Sequence, residues 1–417
     1  MKRKLSLLII LLILFSLFSG CKDSTEIDEN VYTIVIGLDK GSNDNIVLTI
    51  QYPQFKSSSK VTSGSSSNTS VDSIETSSIL SGIDEFNMAI SRNVSLKHTK
   101  LIVFSEELAR EGIGKYLAPL ARFREARRSM FVAVSNGKAV DFINENRSSI
   151  SENITKSVEL MLSQAKGTSY FPFIIFHTFY KNMLSPYGET IAMYIGVNNL
   201  SGLAIGKADI PHSALETDIK PGELPRTGGV KREYVGTAVF RGDKMVGYLN
   251  PYETRYMSMI TGSFEKALLT IVDKKSPGDV IPLDVRLGRK PKISGFFNKG
   301  TPIINIKLNM EADIGAIQSR INYEDPGMIE DLNNQIKTYL ETEIKKMLTK
   351  TQEEFKSDVF EFGTIFAAYF GTIQEFEGYD WLKHYPDAKI NLDLTVSIRR
   401  TGLIIHSFPV LGTPKTK

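Results

Sequence analysis

Apolar and polar residues follow two periods along this chain, one typical of strands and the other of helices. Residues 31–38 are rich in β-branched side chains and residues 46–52 alternate, with the turn-forming stretch DKGSNDN between them. This pattern predicts a β-hairpin near the N-terminus. A second hairpin is predicted from residues 234–240 and 245–249, which flank the sequence RGDK.

Helical spacing follows the first hairpin. Apolar residues from Ile79 to Ile90 are separated by four, three and four positions, which predicts one face of an amphipathic helix. Short apolar runs at 100–104 and 130–134 predict buried strands. Ser105 is the expected N-cap of a helix behind the first of these strands, because its hydroxyl can accept a hydrogen bond from a free amide of the first turn.

The C-terminal third of the chain shows both periods. Strands are predicted near residues 268–272, 280–286 and 302–310, and a clean alternation over 391–399 predicts a closing strand. Residues 328–355 place apolar side chains on one face and Glu and Lys on the other. They predict a long amphipathic helix.

The order of these elements predicts the α+β fold class, with several domains, mixed or antiparallel sheets and packed helices. A chain of 417 residues is too long for one hydrophobic core. The stretch 57–78 has 11 serines in 22 residues and is predicted to be a flexible loop. The predicted domains are a signal peptide at 1–20, an N-terminal α+β domain at 21–190, a small middle β-rich domain at 191–266, and a C-terminal α+β domain with the long helix at 267–410.

The N-terminus combines the positive cluster MKRK with an apolar run and small residues directly before Cys21, the single cysteine of the chain. This combination is typical of a secretory signal peptide. The segment FSGC at 18–21 resembles a bacterial lipobox, with Phe18 where Leu is commoner. Cys21 is therefore predicted to carry lipid, and two or three acyl chains at about 0.8 kcal/mol per buried CH₂ would hold the chain on a membrane. The alternative is a core cysteine that follows a leader.

Net charge limits the classes of partner. The predicted leader carries three of the 50 Lys and Arg residues and none of the 47 Asp and Glu residues, so the remaining chain has a formal net charge of zero. Neutrality argues against nucleic-acid binding and against electrostatic recruitment to anionic lipid. The lipid alone would then supply membrane affinity. With Cys21 acylated, no thiol remains for a disulfide, a zinc site or a nucleophile.

Catalytic and metal-binding patterns are missing from the sequence. The five histidines have no metal-ligand spacing, and no GxSxG elbow is present. The stretch GLAIGK at 202–207 departs from a phosphate loop in its spacing and is predicted to be a turn. RGD at 241–243 is predicted to be part of a hairpin turn rather than an adhesion signal. The sequence predicts a protein that is not an enzyme and has no metal site.

The most conspicuous charge cluster is ARFREARR at 121–128. On a helix, Arg124 and Arg128 share a face, as do Arg124 and Arg127. A solvated helix surface is one interpretation. The other is that Arg124, Arg127 and Arg128 dock against an acidic partner or against anionic head groups.

Six stretches carry a resemblance to a known family. They are VIGLDKG at 35–41, LKHTKLIVFSEELAREGI at 96–113, FREARRSMFVAV at 123–134, GTAVFRGDKMVGYL at 236–249, SDVFEFG at 357–363 and SIRRTGLI at 397–404. In this order and behind a lipobox, they resemble the Ger(x)C family, the lipoprotein C subunits of bacterial spore germinant receptors. Two departures are the serine-rich insertion at 57–78 and the stretch AAYFGTI, which lacks an expected basic residue.

The resemblance implies a three-domain α+β protein on the outer surface of the spore's inner membrane. It would work beside a multispanning A subunit and a permease-like B subunit that senses nutrient. Cys21 carries over as the lipid site, so the expected covalent group is a diacylglyceryl and acyl lipid such as palmitate, with no other cofactor. The family has no catalytic residues to transfer.

A rival hypothesis is a lipid-anchored solute-binding protein that delivers ligand to a membrane transporter. It predicts two similar lobes around a cleft and direct affinity for a small molecule. The two halves of the sequence show no duplication, which counts against it. A third hypothesis, a wall hydrolase, lacks a pair of carboxylates in an acid–base arrangement.

Overall fold

The structure is a computed structural model, and it describes residues 29–54, 69–146, 154–200, 218–319 and 321–404, together with Arg3, Leu5 and Ser407. Within these residues the strands form a two-stranded ribbon, an eight-stranded sheet and a four-stranded sheet, with helices packed against the two larger sheets. The predicted α+β fold class with mixed sheets is confirmed.

The N-terminal sheet has a parallel centre and antiparallel flanks. Its order is β10-β9-β8-β7-β6-β2-β3-β4, with β2, β6, β7 and β8 parallel, while β1 and β5 form the separate ribbon. The strands are β1 Asn30–Tyr32, β2 Val35–Lys40, β3 Ile46–Pro53, β4 Thr69–Thr76, β5 Asn93–Ser95, β6 Leu101–Ser105, β7 Phe131–Ser135, β8 Ile191–Val197, β9 Arg232–Arg241 and β10 Lys244–Leu249. Both predicted hairpins are present, as β2–β3 and β9–β10.

Helices between these strands complete the N-terminal core. They are α1 Ile79–Phe86, α2 Glu106–Glu111, α3 Gly114–Arg122, α4 Ala139–Asn144, α5 Ile154–Thr168 and α6 Phe176–Met183. The next helix, α7 Pro251–Thr261, follows β10 and buries Tyr256, Met257, Met259 and Ile260 in the C-terminal core. Ser105 is the N-cap of α2, as predicted, because its Oγ accepts from the Leu108 amide at 3.3 Å. The amphipathic helix predicted from Ile79 begins at that residue and buries Ile79, Ile83 and Phe86.

The serine-rich stretch requires a correction. Residues 57–78 were predicted to be a flexible loop, but Thr69–Thr76 is a strand that pairs antiparallel with β3 along its full length. Serine and threonine suffice here because the backbone ladder supplies the pairing, and the Thr49 and Ser73 hydroxyls hydrogen-bond across it at 2.8 Å. Residues 57–68 lie outside the described residues.

The predicted middle domain also requires a correction. Its strands β8, β9 and β10 belong to the N-terminal sheet, so residues 191–266 do not form a sheet of their own. The reason is that β9 returns antiparallel onto β8, with Ile191 opposite Val239. The Gly- and Pro-rich stretch therefore connects neighbouring strands of one sheet.

The C-terminal sheet has the order β11-β12-β13-β14, in which β14 runs parallel to β13. Its elements are β11 Lys266–Val272, β12 Val280–Asn298, β13 Thr301–Ile314, α8 Pro326–Thr349, a π-helical turn Lys350–Phe355, α9 Gly363–Ala367, α10 Ile373–Tyr379, α11 Trp381–His384, a 3₁₀ turn Tyr385–Asp387 and β14 Lys389–Arg400. The long predicted helix is α8 with its π-helical extension. Its apolar face, including Leu332, Ile336 and Leu340, is fully buried in the C-terminal core.

Candidate docking surface and buried junction

The parallel strands of the N-terminal sheet begin side by side. Val35 of β2 is opposite Leu101 of β6, and Leu101 is opposite Phe131 of β7. The segments that lead into these strands are also bonded to one another, since the Lys100 amide donates to the Ile34 carbonyl at 2.8 Å and the Phe131 amide donates to the Lys100 carbonyl at 2.7 Å. We call this side of the sheet the amino edge.

The arginine segment, residues 121–128, leads into β7 and reaches the amino edge. Sequence analysis assumed that it is helical, and this is wrong: α3 ends at Arg122, Phe123 has an extended backbone with φ −77° and ψ 121°, and turns follow. The helix ends here because Phe123 leaves the helical region and packs against the N-terminal core. Arg124, Arg127 and Arg128 are therefore brought together by turns and not by a helix face.

The arginine segment presents a local excess of positive charge. Arg122, Arg124, Arg127 and Arg128 are all exposed. Within the part of the chain that the structure describes, no carboxylate forms an ion pair with any of these four side chains. The one acidic residue of the segment, Glu125, accepts from Ser95 Oγ at 2.9 Å and pairs with Lys97 Nζ at 3.2 Å.

The positive charge of the arginine segment affects the pKa of the neighbouring His98. The pKa of His98 is lowered by burial and further by the positive charges of Arg127 and Lys100. His98 packs edge-on against Tyr32 of β1, with ring centroids 4.6 Å apart. Since β1 lies directly before β2, the arginine segment and the entry of the chain into the fold are close together.

The predicted lipid site, Cys21, lies outside the described residues, as does the turn predicted at 202–207. The eight residues that separate Cys21 from Asn30 can span at most about 30 Å at ~3.3–3.6 Å per residue. A lipid on Cys21 would thus keep the start of β1 within that distance of a membrane.

The RGD stretch is a hairpin turn, as predicted, and its aspartate has an internal role. Asp243 Oδ2 accepts from the Gly114 amide at 3.2 Å, and the Asp243 carbonyl accepts from the Ile113 amide at 2.9 Å. The turn therefore satisfies free amides at the start of α3. Gly242 has φ +60°, a left-handed conformation that glycine adopts without strain.

A buried junction, residues 357–363 with their contacts, joins the two larger sheets. Asp358 Oδ2 accepts from Trp381 Nε1 at 2.8 Å and from the Gly363 amide at 3.2 Å, while Oδ1 accepts from the Phe360 amide at 3.1 Å. Burial raises the pKa of Asp358 to about 7, although these hydrogen bonds act in the opposite direction. This carboxyl group organises the turn between α8 and α9.

The other side of the junction contacts the N-terminal sheet. Ser357 Oγ donates to the Phe240 carbonyl of β9 at 2.6 Å, and the Glu189 amide donates to the Asp358 carbonyl at 2.8 Å. Burial also raises the pKa of Glu189. A Cβ at Gly363 would lie 2.4 Å from the Tyr187 carbonyl oxygen, so these two segments of the chain approach too closely for a larger residue at position 363. Sequence analysis missed this junction, and its one signal is an aspartate inside the apolar stretch SDVFEFG.

Neither the arginine segment nor the buried junction offers a recognisable reaction centre. Among the described residues, no group of three or more His, Cys, Asp and Glu side chains is placed to hold a metal ion. In the same ranges, no helix has both the length and the apolar character needed to cross a membrane. The arrangement offers exposed arginines at one edge of the N-terminal sheet and a hydrogen-bonded connection between the two larger sheets.

Comparison with known proteins matches both halves of the chain in sequence. Residues 23–197 match the family described as "Spore germination protein N-terminal domain", and residues 235–402 match "Spore germination B3/ GerAC like, C-terminal". Two relatives from Bacillus subtilis (strain 168) span nearly the whole chain. "Spore germination protein YndF" is 24% identical over 97% of this chain and 98% of its own length, and "Spore germination protein KC" is 25% identical over 98% and 99%.

A solved structure shares the fold. "Crystal Structure of the GerBC protein" superposes with a TM-score of 0.52 at 17% identity, covering 87% of this chain and 96% of that one. The two matched domains, in order and on this fold, define a spore germination protein. The chain belongs to the Ger(x)C family, the germinant-receptor C-subunit family that the six sequence stretches resemble.

Proposed function

We propose that this chain is the lipid-anchored C subunit of a spore germinant receptor, held on the outer surface of the spore's inner membrane through Cys21. It acts beside a multispanning A subunit and a permease-like B subunit, in receptor assembly or signalling, without catalysis of its own. The observation that carries the proposal is the match of both germination-protein domains, at residues 23–197 and 235–402, behind a lipobox.

The physical role of the anchor is to restrict diffusion. A protein confined to a membrane surface meets membrane partners at a high effective concentration, so modest interfaces suffice for assembly. The buried junction connects the two larger sheets through hydrogen bonds of Ser357, Asp358 and Glu189, so the anchored chain presents both sheets to its partners together.

The anchor is tested by replacing its sulfur. Cys21→Ala removes the only thiol, so we expect at least a tenfold loss of the chain from the spore membrane fraction and a germination defect. The measurements are immunoblots of separated membrane and soluble fractions and the response of spores to nutrient.

The matched control is Ser19→Ala, which keeps a small residue in the lipobox and is expected to leave both readouts unchanged. Full membrane retention of the Cys21→Ala chain together with normal germination would contradict the proposal.

A further inference from the structure

We propose that the amino edge of the N-terminal sheet faces the membrane and that the arginine segment binds the phosphates of anionic phospholipid head groups. This inference rests on the lipid anchor at Cys21 proposed above. It assigns a ligand chemistry to the exposed guanidinium groups and an orientation to the folded chain.

The first argument is topological. The chain enters the fold through β1, whose Asn30–Tyr32 pairs in parallel with Asn93–Ser95 of β5. Ser95 in turn donates to Glu125 of the arginine segment. Anchor entry and arginine segment therefore share the amino edge, while the turn behind β7 at Lys138 lies at the opposite edge.

The second argument is chemical. The arginine segment has four exposed guanidiniums, and the one carboxylate within it is engaged by Ser95 and Lys97. Guanidinium groups match phosphate oxygens in a two-pronged geometry, and they are weakly hydrated, which favours contact at an interface. Arg124, Arg127 and Arg128 lie on the turns that follow Phe123, and Arg122 is the last residue of α3, so several of these groups can reach one surface.

The neutral charge of the chain behind the predicted leader agrees with this role. A formal net charge of zero behind the leader cannot draw the protein to a membrane from a distance. Charges interact over about 8 Å at physiological ionic strength, so a local cluster acts only once the chain is held nearby. The covalent lipid on Cys21 brings the chain to the membrane, and the arginine segment then orients the folded chain with its amino edge towards the bilayer.

An acidic partner protein is the competing occupant. The lipid surface is favoured because the short connection from Cys21 holds the amino edge within about 30 Å of the bilayer. The structure offers no comparable reason why an acidic protein surface should lie at this edge.

The orientation is measured with two single-probe forms of the full lipidated chain. Ser129→Cys places a fluorophore beside Arg128, and Lys138→Cys places one at the opposite edge; acylation leaves Cys21 unavailable to the label. Each form is reconstituted into vesicles of phosphatidylcholine with 30% phosphatidylglycerol and a head-group nitroxide quencher. We expect at least threefold stronger quenching at position 129 than at position 138.

The role of charge is measured with matched variants. In the combined variant Arg124→Ser, Arg127→Ser and Arg128→Ser, we expect the quenching at position 129 to fall at least twofold, and likewise in pure phosphatidylcholine or 1 M salt. The control, Arg289→Ser, Lys290→Ser and Lys292→Ser, removes the same charge from exposed positions of β12 and is expected to keep wild-type quenching.

The outcomes separate the two proposals. A chain that stays in solution overturns both the anchor and the orientation. A vesicle-bound chain that quenches equally at both positions, or that ignores lipid charge, overturns the orientation alone. If the arginine variant keeps its lipid contact but no longer co-purifies with the other receptor subunits, the occupant is an acidic protein and the lipid proposal is wrong.

Discussion

The two larger sheets differ in what covers their faces. In the N-terminal sheet, all five residues of β6 are buried, and so are four of the five residues of β7. In the C-terminal sheet, β14 alternates exposed and half-buried residues over its length, and Leu394 is its one buried residue. The central strands of the first sheet are buried on both faces, whereas the second sheet packs α8 on one face and leaves much of the other to solvent.

This difference explains two sequence patterns. A central parallel strand covered on both faces has a continuous apolar run, as in LIVF at 101–104 and MFVAV at 130–134, while a strand with one solvated face alternates, as in NLDLTVSIR. The comparison therefore teaches that the cost of a substitution depends on the sheet more than on the residue type.

The largest contrast is expected between two phenylalanines. Phe104→Ala in β6 removes a side chain with no exposed surface and leaves a cavity, which costs about 3–5 kcal/mol of unfolding free energy. Phe296→Ala in β12 removes a ring that is 45% exposed and costs below about 1 kcal/mol. Urea denaturation of both variants measures the difference, and similar costs would mean that the exposed face of the C-terminal sheet is covered in solution.

The next effect concerns the junction between the sheets and depends on pH. The folded protein holds the proton of Asp358 more tightly than the unfolded chain does, because burial raises its pKa to about 7. The stability contributed by the protonated form is complete at low pH. It is lost as the pH rises from the ordinary pKa of an aspartate to the raised pKa of about 7 in the folded protein. The slope from this group is at most about 1.4 kcal/mol per pH unit between about pH 4 and 7.

Asp358→Asn removes this titration, so we expect its unfolding free energy to fall less steeply than that of the wild type over the same range. Glu189 contributes a slope of the same sign and remains in both proteins. Ser397→Ala, on the exposed face of the C-terminal sheet, removes no ionisable group and is the control that keeps the wild-type slope. Parallel curves for Asp358→Asn and the wild type would show that the junction carboxyl titrates normally.

The smallest effect is expected for ion pairs on the solvated face. Asp393 lies 3.2 Å from Lys307, with both side chains more than half exposed. Its replacement by Asn costs below about 0.5 kcal/mol and less in high salt. Glu253→Gln, which removes the charge facing Lys350 in a mostly buried pair, is expected to cost about 1 kcal/mol. If thermal unfolding shows the same loss of stability for Asp393→Asn and Glu253→Gln, the exposed and the mostly buried ion pair do not differ as expected from their solvation.

Several elements of both sheets follow from local sequence. The apolar runs locate β6 and β7, the alternation over 391–399 locates β14, and Ser105 is the N-cap that its position predicts. These signals are local because each depends on the burial of a single strand or on the free amides of one helix turn. Strand β4 has no such signal, because serine and threonine on a flanking strand are held by backbone pairing with β3.

The candidate sites were less predictable. The arginine cluster was found from composition. Its turns could not be predicted, because the end of α3 depends on the packing of Phe123 against the N-terminal core, most of which comes from residues far away in sequence. The junction depends on contacts between residues far apart in sequence, such as Glu189 with Asp358 and Phe240 with Ser357. The aspartate in SDVFEFG indicates that a polar group is buried there, but the sequence does not show which residues contact it.

The return of β9 and β10 to the first sheet decides where the polypeptide can be divided. A fragment cut at Val197, where the matched N-terminal family region ends, would leave the seven residues of β8 with a bare hydrogen-bonding side. Strands open in this way pair with copies of themselves and aggregate. An expressible N-terminal half therefore extends through Leu249, well into what sequence families count as the other domain.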